Sequence, residues 1–160
     1  MIVLDKQADP EKNYQMMVKT VALFLEEETD VIANLSNISA IINGYMTDLN
    51  WAGFYLLKGE DLVLGPFQGK PACIRIKPAK GVCFAAVLEK RTILVPDVEV
   101  FPGHIACDGD TKSELVAPLF KKGEIYGVLD LDSPILNRFT SLEEKYINQV
   151  AELINQFLSK

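Results

Sequence analysis

Apolar residues recur at helical spacing in two segments near the start of the chain. The first segment follows Asp9-Pro10, a capping side chain with a proline at the first helical position, and its apolar residues are Tyr14, Met17, Val18, Val21 and Leu25. In the second segment Asp30 precedes Val31, Leu35, Ile38, Ile42 and Tyr45. We predict two helices that cover one side of a sheet or pair with a second subunit.

The periodicity changes to two at Trp51, which is typical of strands. Three short strands are predicted from WAGFYLLK (51–58), DLVLGPFQ (61–68) and CIRIK (73–77). GVCFAAVLEK (81–90) predicts a short helix, RTILVPDV (91–98) a strand or extended segment, and residues 99–111 a loop. Cys73 would therefore begin a strand, and Cys83 would lie in the first turn of a helix.

The last part of the chain predicts a hairpin and a helix. SELVAPLFK (113–121) and IYGVLDLDS (125–133) flank a turn at Lys122-Gly123-Glu124. Thr140 and Glu143 form a capping-box pattern before a helix whose buried stripe is Tyr146, Val150, Leu153 and Phe157. The predicted order ααβββαβββα, with hairpins in place of regular βαβ crossovers, favours an α+β fold in which helices pack on the faces of an antiparallel sheet.

Composition and charge limit the classes of partner. The 160 residues, 49% of them hydrophobic, are enough for a single domain over 1–160. A net charge of -6 without any basic run argues against nucleic acid or an anionic membrane surface as a partner. No stretch approaches the roughly 20 apolar residues of a membrane span, and the first residues lack a signal-peptide pattern, so we expect a cytoplasmic protein.

The predicted hairpin groups three carboxylates. Strand alternation in IYGVLDLDS places Tyr126, Val128, Asp130 and Asp132 on one face, and Ile125, Leu129 and Leu131 on the other. A three-residue turn with Lys121 opposite Ile125 would pair Leu115 with Leu131 and Ala117 with Leu129, which gathers the apolar residues on one face. The same register sets Glu114 opposite Asp132. Glu114, Asp130 and Asp132 then form either the solvent face of a half-exposed sheet or a functional patch.

A functional patch would have distinctive chemistry. Three crowded acids repel one another, so at least one should keep its proton to higher pH, which would provide a general acid or a pocket for a cation. On the first strand, Trp51 and Tyr55 share a face with Gly53 between them. They are either core aromatics or an aromatic floor with room for a ligand.

The three cysteines are the other candidates for chemistry. Their odd number and their spacing do not predict a disulfide framework, and a bridge in a reducing compartment would be transient or redox-active. Cys107 lies near His104 in a polar loop and is a candidate nucleophile; Cys83 would gain thiolate character from a helix dipole. Each thiol could equally be a small buried hydrophobe. A zinc site of Cys73, Cys83, His104 and Cys107 lacks the usual spacing, and a Cys/His hydrolase lacks any oxyanion-hole signature.

Several segments together resemble one known family. DLNWAGFYLL, GKPACIRI followed by GVC, LVPDVEVFPGHIACDGDTKSELVAPL and YGVLDLDSP are similar to the free methionine-R-sulfoxide reductases, which are single GAF domains. The resemblance covers almost the whole chain, and FPGHIACD is specific to the family. It implies a GAF-like, six-stranded antiparallel sheet, a homodimer, free methionine-R-sulfoxide as the substrate, no bound cofactor, and thioredoxin or another external dithiol as the reductant.

The resemblance also implies roles for residues. Cys107 matches the attacking cysteine and Cys73 its disulfide partner, and Cys83 matches a third cysteine that is either an alternative resolving thiol or an auxiliary one. Trp51 and Tyr55 match aromatics that line the substrate pocket. The substrate-binding carboxylates of the family match the group found from the hairpin: Glu114, Asp130 and Asp132. Glu114 or Asp132 would protonate the sulfoxide oxygen, and Asp130 would bind the substrate ammonium.

One position and one short segment depart from the family pattern. Phe84 stands where a small residue is expected, which would alter packing beside Cys83, and residues 109–112 replace a run of small side chains in the Cys107 loop. The rival interpretation is a ligand-binding GAF sensor module without catalysis. Three thiols and three acids in one pocket do not suit an anionic nucleotide, which favours the enzyme.

Overall fold

The computed structural model describes residues 9–105 and 107–160. The domain predicted over 1–160 therefore includes positions, 1–8 and 106, that lie outside the described residues. Within the described part, no helix has an apolar stretch long enough to cross a membrane.

The element order agrees with the predicted ααβββαβββα. The helices are α1 (Pro10–Glu27), α2 (Val31–Tyr45), α3 (Gly81–Glu89) and α4 (Ser141–Leu158). The strands are β1 (Trp51–Lys58), β2 (Asp61–Gly69), β3 (Arg75–Ile76), β4 (Ile93–Val95), β5 (Ser113–Lys121) and β6 (Glu124–Ser133). The predicted fold class is thus confirmed: the protein is α+β with a six-stranded sheet.

The sheet has helices on both faces. Its strand order is β3-β2-β1-β6-β5-β4, and every neighbouring pair is antiparallel. Apolar residues of α1, α2 and α4 pack in one cluster with Phe54, Leu115 and Leu131, whereas those of α3 pack in a second cluster with Tyr55 and Val128. Because strand side chains alternate, β1 and β6 supply both clusters and lie at the centre of the sheet.

The helix starts follow the predicted caps. The side chain of Asp9 accepts a hydrogen bond from Glu11 N, and that of Asp30 accepts one from Ala33 N. At α4 the capping box is complete: Thr140 Oγ1 accepts from Leu142 N, and the side chain of Glu143 accepts from Thr140 N at 2.7 Å. The local sequence alone is sufficient for these boundaries.

Two segments differ from the sequence prediction. The third strand was predicted over 73–77, but only Arg75 and Ile76 pair with β2, so Cys73 lies in the connection before the strand. The loop predicted over 99–111 begins later than expected, because residues 98–100 form a 3-10 turn whose cap, Asp97, accepts from Glu99 N. Both differences leave the sequence order of the elements unchanged.

The β5–β6 turn was predicted incorrectly, although the register beyond it is correct. Lys122 and Gly123 both have positive φ and form a two-residue turn, so Lys121 faces Glu124 and not Ile125. A bulge at Tyr126 then inserts one extra residue, which restores the pairing of Glu114 with Asp132. The bulge also moves Tyr126 to the cluster of α1, α2 and α4, away from the face on which it was predicted.

Loss of the α4 cap should destabilise the fold. We expect Thr140→Ala to lower the free energy of unfolding by about 1 kcal/mol, because the amide of Leu142 loses its acceptor and Glu143 loses its hydroxyl donor. Urea titration measures the change, with the exposed neighbour Ser141→Ala as the matched control. Equal stability of the two variants would contradict a stabilising capping box.

Candidate active site

A cleft lies between the α3 face of the sheet and the loop that carries Cys107. It encloses about 550 Å³ of space including its open mouth. Seven of the eight site residues predicted from the sequence line it: Trp51, Tyr55, Cys83, Cys107, Glu114, Asp130 and Asp132. The eighth, Cys73, does not line the cleft but is bonded to Cys107, so the structure brings all eight together.

Cys73 and Cys107 form a disulfide. Their Cα atoms are 5.5 Å apart, and 34 residues separate them in sequence. Both residues are half-buried. The Tyr55 hydroxyl donates a hydrogen bond to the carbonyl oxygen of Cys73 at 2.8 Å, so the central strand β1 holds the backbone of this cysteine. Tyr55 therefore contributes to the site in two ways, through its ring in the cleft lining and through its hydroxyl at Cys73.

The segment after Cys107 is anchored to β1 by a residue that sequence reasoning missed. Nδ2 of Asn50 donates to Asp108 Oδ2 and to Thr111 Oγ1, each at 3.0 Å. Asp108 Oδ1 in turn accepts from Asp110 N, which closes a local turn. Asp108 and Thr111 line the cleft. The sequence signal for them is their position beside Cys107, but nothing in the sequence indicates that Asn50 reaches them.

The three carboxylates are buried together on the central strands. Glu114 is 6% exposed and Asp130 5%, and Asp132 is half-buried. Asp130 follows Leu129 on β6, and an oxygen of its carboxyl, an oxygen of Glu114 and the Sγ atom of Cys83 lie within 4.8 Å of one another. Burial to this extent contradicts the alternative of a solvent-exposed sheet face. The acids line the floor of the cleft.

Burial and mutual repulsion shift the pKa of each acid in the same direction. Removal from water raises the pKa of Glu114 well above its usual range, and the charge of Asp132 adds to this effect. Desolvation likewise raises the pKa of Asp130 and of Asp132, with further contributions from Glu114 and Asp130 respectively. The raised pKa values mean that the cluster keeps protons to higher pH than free carboxyl groups would, which suits a proton donor.

Cys83 has an environment opposite to the one expected from its helix position. It is 4% exposed, and burial followed by the charge of Asp130 raises the pKa of its thiol well above the usual value. The expected thiolate character from the α3 dipole is therefore not supported, because desolvation and neighbouring acids outweigh a helix end. Phe84, the departure from the family pattern, is buried in the same apolar cluster as Cys83.

The predicted zinc alternative does not fit this arrangement. Two of its four residues, Cys73 and Cys107, are bonded to each other. Within the described ranges, the group whose ligand atoms lie within 4.8 Å of one another is instead Cys83, Glu114 and Asp130. Those are the residues that could hold a cation, and they belong to the carboxylate floor of the cleft.

His104 lies against the carboxylates from the loop side. Its Nε2 atom is 3.7 Å from Glu114 Oε2, and the side chain is 16% exposed. Burial lowers the pKa of His104 below its ordinary value, so the imidazole is neutral at pH 7 and the contact is not an ion pair. The sequence left open whether His104 is a surface residue; the structure places it in the cleft lining.

Aromatic rings form one wall of the cleft. The rings of Trp51 and Tyr55 stack with centroids 5.7 Å apart, and the ring of Phe67 also stacks with that of Trp51, at 5.2 Å. The space expected at Gly53 is not available to a ligand, since a Cβ there would lie 2.3 Å from Phe67 Cβ. Gly53 is thus required by the close approach of β2, and Phe67 supports the ring of Trp51, whereas Trp51 and Tyr55 themselves line the cleft.

Several buried polar atoms at the cleft have no partner among the described residues. They are Asn50 Oδ1, Trp51 Nε1, Asp130 Oδ1 and Asp132 Oδ1. Buried donors and acceptors are almost always paired, so atoms without partners beside a cleft indicate a polar ligand or ordered water. An aromatic wall, an acidic floor and a cysteine pair thus define a site for a small polar molecule and for thiol chemistry.

The comparisons with known proteins agree with this description. The GAF domain family model matches residues 19–158. A free methionine-R-sulfoxide reductase from Escherichia coli is 48% identical, with 82% of this chain and 80% of the relative covered. The solved reductase of Neisseria meningitidis, in complex with its substrate, superposes with a TM-score of 0.92 at 36% identity and covers 99% of this chain and 96% of its own. The solved structure of fRMsr from Staphylococcus aureus in complex with substrate superposes with a TM-score of 0.87 at 47% identity. It covers 92% of this chain and 96% of its own.

The fold and the cleft are those of a GAF domain with a cysteine pair at its pocket. At these identities and coverages, the chain belongs to the free methionine-R-sulfoxide reductase family and is an oxidoreductase. The family resemblance found in the sequence is therefore confirmed.

The raised pKa values predict a pH dependence of stability. A carboxyl with a higher pKa in the folded than in the unfolded protein binds more protons when folded, so stability falls as pH rises from the unfolded pKa of about 4 to the folded pKa. Asp130→Asn removes one such group. Its stability relative to wild type should therefore increase as pH rises above about 4 toward the raised pKa of Asp130, by at most about 1.4 kcal/mol per pH unit for one proton.

Urea titrations at a series of pH values measure this difference. Glu60→Gln, at the exposed β1–β2 turn, is the matched control and should follow wild type throughout. If the curve of Asp130→Asn also ran parallel to that of wild type, the cleft carboxyls would not be protonated as described.

Proposed function

We propose that this protein, acting as one GAF domain over 1–160, reduces free L-methionine-R-sulfoxide to methionine with Cys107 as the nucleophile. The observation that carries the proposal is the meeting of three features in one cleft. They are the Cys73–Cys107 disulfide, the buried carboxylate floor and the aromatic wall. The similarity to proteins named free methionine-R-sulfoxide reductase supports this choice of substrate.

The reaction needs both a thiol and an acid. A sulfoxide sulfur becomes electrophilic once its oxygen is protonated or accepts a strong hydrogen bond. Cys107 would attack the sulfur while Glu114 or Asp132 donates a proton to the oxygen, so that methionine leaves and Cys107 becomes a sulfenic acid. The raised pKa of both carboxyls supports this role, since a donor must hold its proton at working pH.

Cys73 completes the redox cycle in this proposal. Its thiol attacks the sulfenic sulfur of Cys107, a disulfide forms, and the oxygen leaves as water. Two thiols thereby supply the two electrons that the sulfoxide accepts. An external dithiol then reopens the disulfide by exchange, so the cycle needs no bound cofactor. We assign no resolving role to Cys83, whose buried, high-pKa thiol is poorly suited to attack.

Recognition of the free amino acid would depend on its charges. The substrate ammonium would pair with Asp130 and favour the ionised form of that carboxyl, whose buried Oδ1 has no hydrogen-bond partner among the described residues. Trp51 and Tyr55 would contact the methyl and thioether end. Backbone amides would meet the substrate carboxylate. A methionine sulfoxide within a peptide has neither charge, and it would therefore bind poorly.

The remaining partners and the location are also proposals. Thioredoxin is the proposed dithiol, and the half-buried disulfide beside the exposed Ile74 supports access for a protein reductant. A homodimer would cover exposed apolar residues of α1 and α2, among them Leu23 and Ile32. Cytoplasmic location fits a disulfide that must be reduced in every cycle.

The substrate assignment predicts a sharp selectivity. With dithiothreitol as reductant, free L-methionine-R-sulfoxide should yield methionine, because its ammonium and its oxygen both meet carboxyls of the cleft. The S epimer and a peptide-linked R-sulfoxide should react at least about 100-fold more slowly, the loss that follows misplaced reacting groups. Chromatographic measurement of methionine from the two free epimers, and of the reduced peptide, gives the three rates.

Reduction of the peptide at the rate of the free amino acid would contradict recognition by Asp130. Reaction of none of the three substrates, with all thiols reduced, would instead favour the GAF sensor module without catalysis.

The two half-cystines should have separable roles. Cys107→Ser should abolish methionine formation, because the buried, high-pKa thiol of Cys83 is poorly suited to replace the nucleophile. Cys73→Ser should still form about one equivalent of methionine per protein and then stop when thioredoxin is the only reductant, because Cys107 lacks its partner. Rapid-quench measurement of methionine per subunit, with and without thioredoxin, distinguishes the two variants. Normal cycling of Cys107→Ser would refute the assignment of the nucleophile.

A further inference from the structure

Asn50 connects the carboxylate strand to the Cys107 loop. Its backbone amide donates to the carbonyl oxygen of Asp132 on β6 at 3.0 Å. Its side-chain amide donates to Asp108, the residue after Cys107, and to Thr111, which lie 58 and 61 positions away in sequence. The residue immediately before β1 thus contacts both the backbone of the acidic strand β6 and the loop that bears the proposed nucleophile.

The orientation of the Asn50 amide follows from the charge of Asp108. The hydrogen bond from Asp110 N holds the pKa of the Asp108 carboxyl below its usual value, so this carboxylate is ionised and can only accept. Rotation of the amide would turn Asn50 Oδ1 toward Asp108 and repel it. This orientation leaves Oδ1 buried and without a partner within residues 9–105 and 107–160, so the amide donates to the loop although its own oxygen is unpaired there.

A second tether of the same loop is much weaker. Lys70 Nζ lies 2.8 Å from Asp110 Oδ2, but the two side chains are 70% and 59% exposed. Exposed ion pairs of this kind contribute little, because water and salt screen them. The loop is therefore held mainly from inside, by the half-buried Asn50.

We propose that Asn50 is a positioning residue that keeps Cys107 close to Cys73 and to the carboxylate floor in the dithiol state as well as in the disulfide. The physical reason is entropic, since a loop that is already held loses less freedom when the disulfide forms. The hydrogen bonds through Asp108 and Thr111 would thereby raise the effective concentration of the two thiols. The positioning of Cys107 near the carboxylates matters only if the proposed function holds. The positioning of Cys107 near Cys73 does not depend on that function.

The disulfide equilibrium tests the proposal without any substrate. Purified protein is equilibrated in dithiothreitol redox buffers, thiols are alkylated, and the oxidised fraction is read from the mass, with Cys83 as a constant free thiol. We expect Asn50→Ala to make the disulfide about tenfold easier to reduce, equivalent to about 30 mV, because a hydrogen bond to a charged group is lost. Lys70→Ala, the matched control on the same loop, should change the equilibrium by less than about twofold.

A double-mutant cycle separates positioning from a general loss of structure. In the Asp108→Ala background the effect of Asn50→Ala should shrink, since only the hydrogen bond to Thr111 remains to be lost. If the alanine variant fails to fold, Asn50→Asp replaces it in the test. This variant keeps the size of the side chain and sets a second carboxylate against that of Asp108. It should shift the equilibrium in the same direction and further.

Three results would overturn the proposal. They are an unchanged equilibrium in Asn50→Ala, an equal shift in Lys70→Ala, and a full shift of Asn50→Ala in the Asp108→Ala background. A shifted equilibrium in a protein that reduces no sulfoxide would support Asn50 as the positioning residue of the cysteine pair and would contradict the proposed function instead.

Discussion

The burial of three carboxyl groups side by side is the constraint on which this structure depends. Glu114, Asp130 and Asp132 lie on β5 and β6 at the centre of the molecule, where desolvation and mutual repulsion keep protons bound. Such a cluster is costly for the fold, because each acid that ionises there is opposed by its neighbours. The large apolar core under α1, α2 and α4 offsets this cost, and α3 closes the opposite face.

Each part of the cleft is supplied by a different part of the chain. The central strand β1 provides Trp51, Tyr55 and the hydroxyl that holds Cys73, and Asn50, the residue before β1, provides the amide that holds the Cys107 loop. The hairpin of β5 and β6 provides the acids. The loop after the 3-10 turn provides Cys107 and the neutral His104. Because β1 pairs with β6, these contributions meet at one place, and the thiol, the acids and the ring stack act on the same small volume.

The sequence predicted the strand register correctly in spite of a wrong turn. The apolar alternation of β5 and β6 requires Leu115 to face Leu131, and this requirement determines the partner of Glu114. The details near the turn could not be predicted, since a bulge at Tyr126 compensates for a two-residue turn and leaves the distant register unchanged. The thiol of Cys83 was misjudged for a similar reason, because a helix dipole is visible in sequence whereas the acids that oppose it come from other strands.

The sequence by itself determined the helices, their caps, the strand order along the chain, the family and the residue types of the site. These depend on local spacing, on hydrophobic alternation and on motifs, all of which are properties of neighbouring residues. Only the tertiary structure decided that Phe67 fills the space at Gly53, that Glu114 and Asp130 are buried, and that Asn50 reaches the loop. Each of these depends on contacts between distant segments, whose geometry is set by the packing of the whole sheet against its helices.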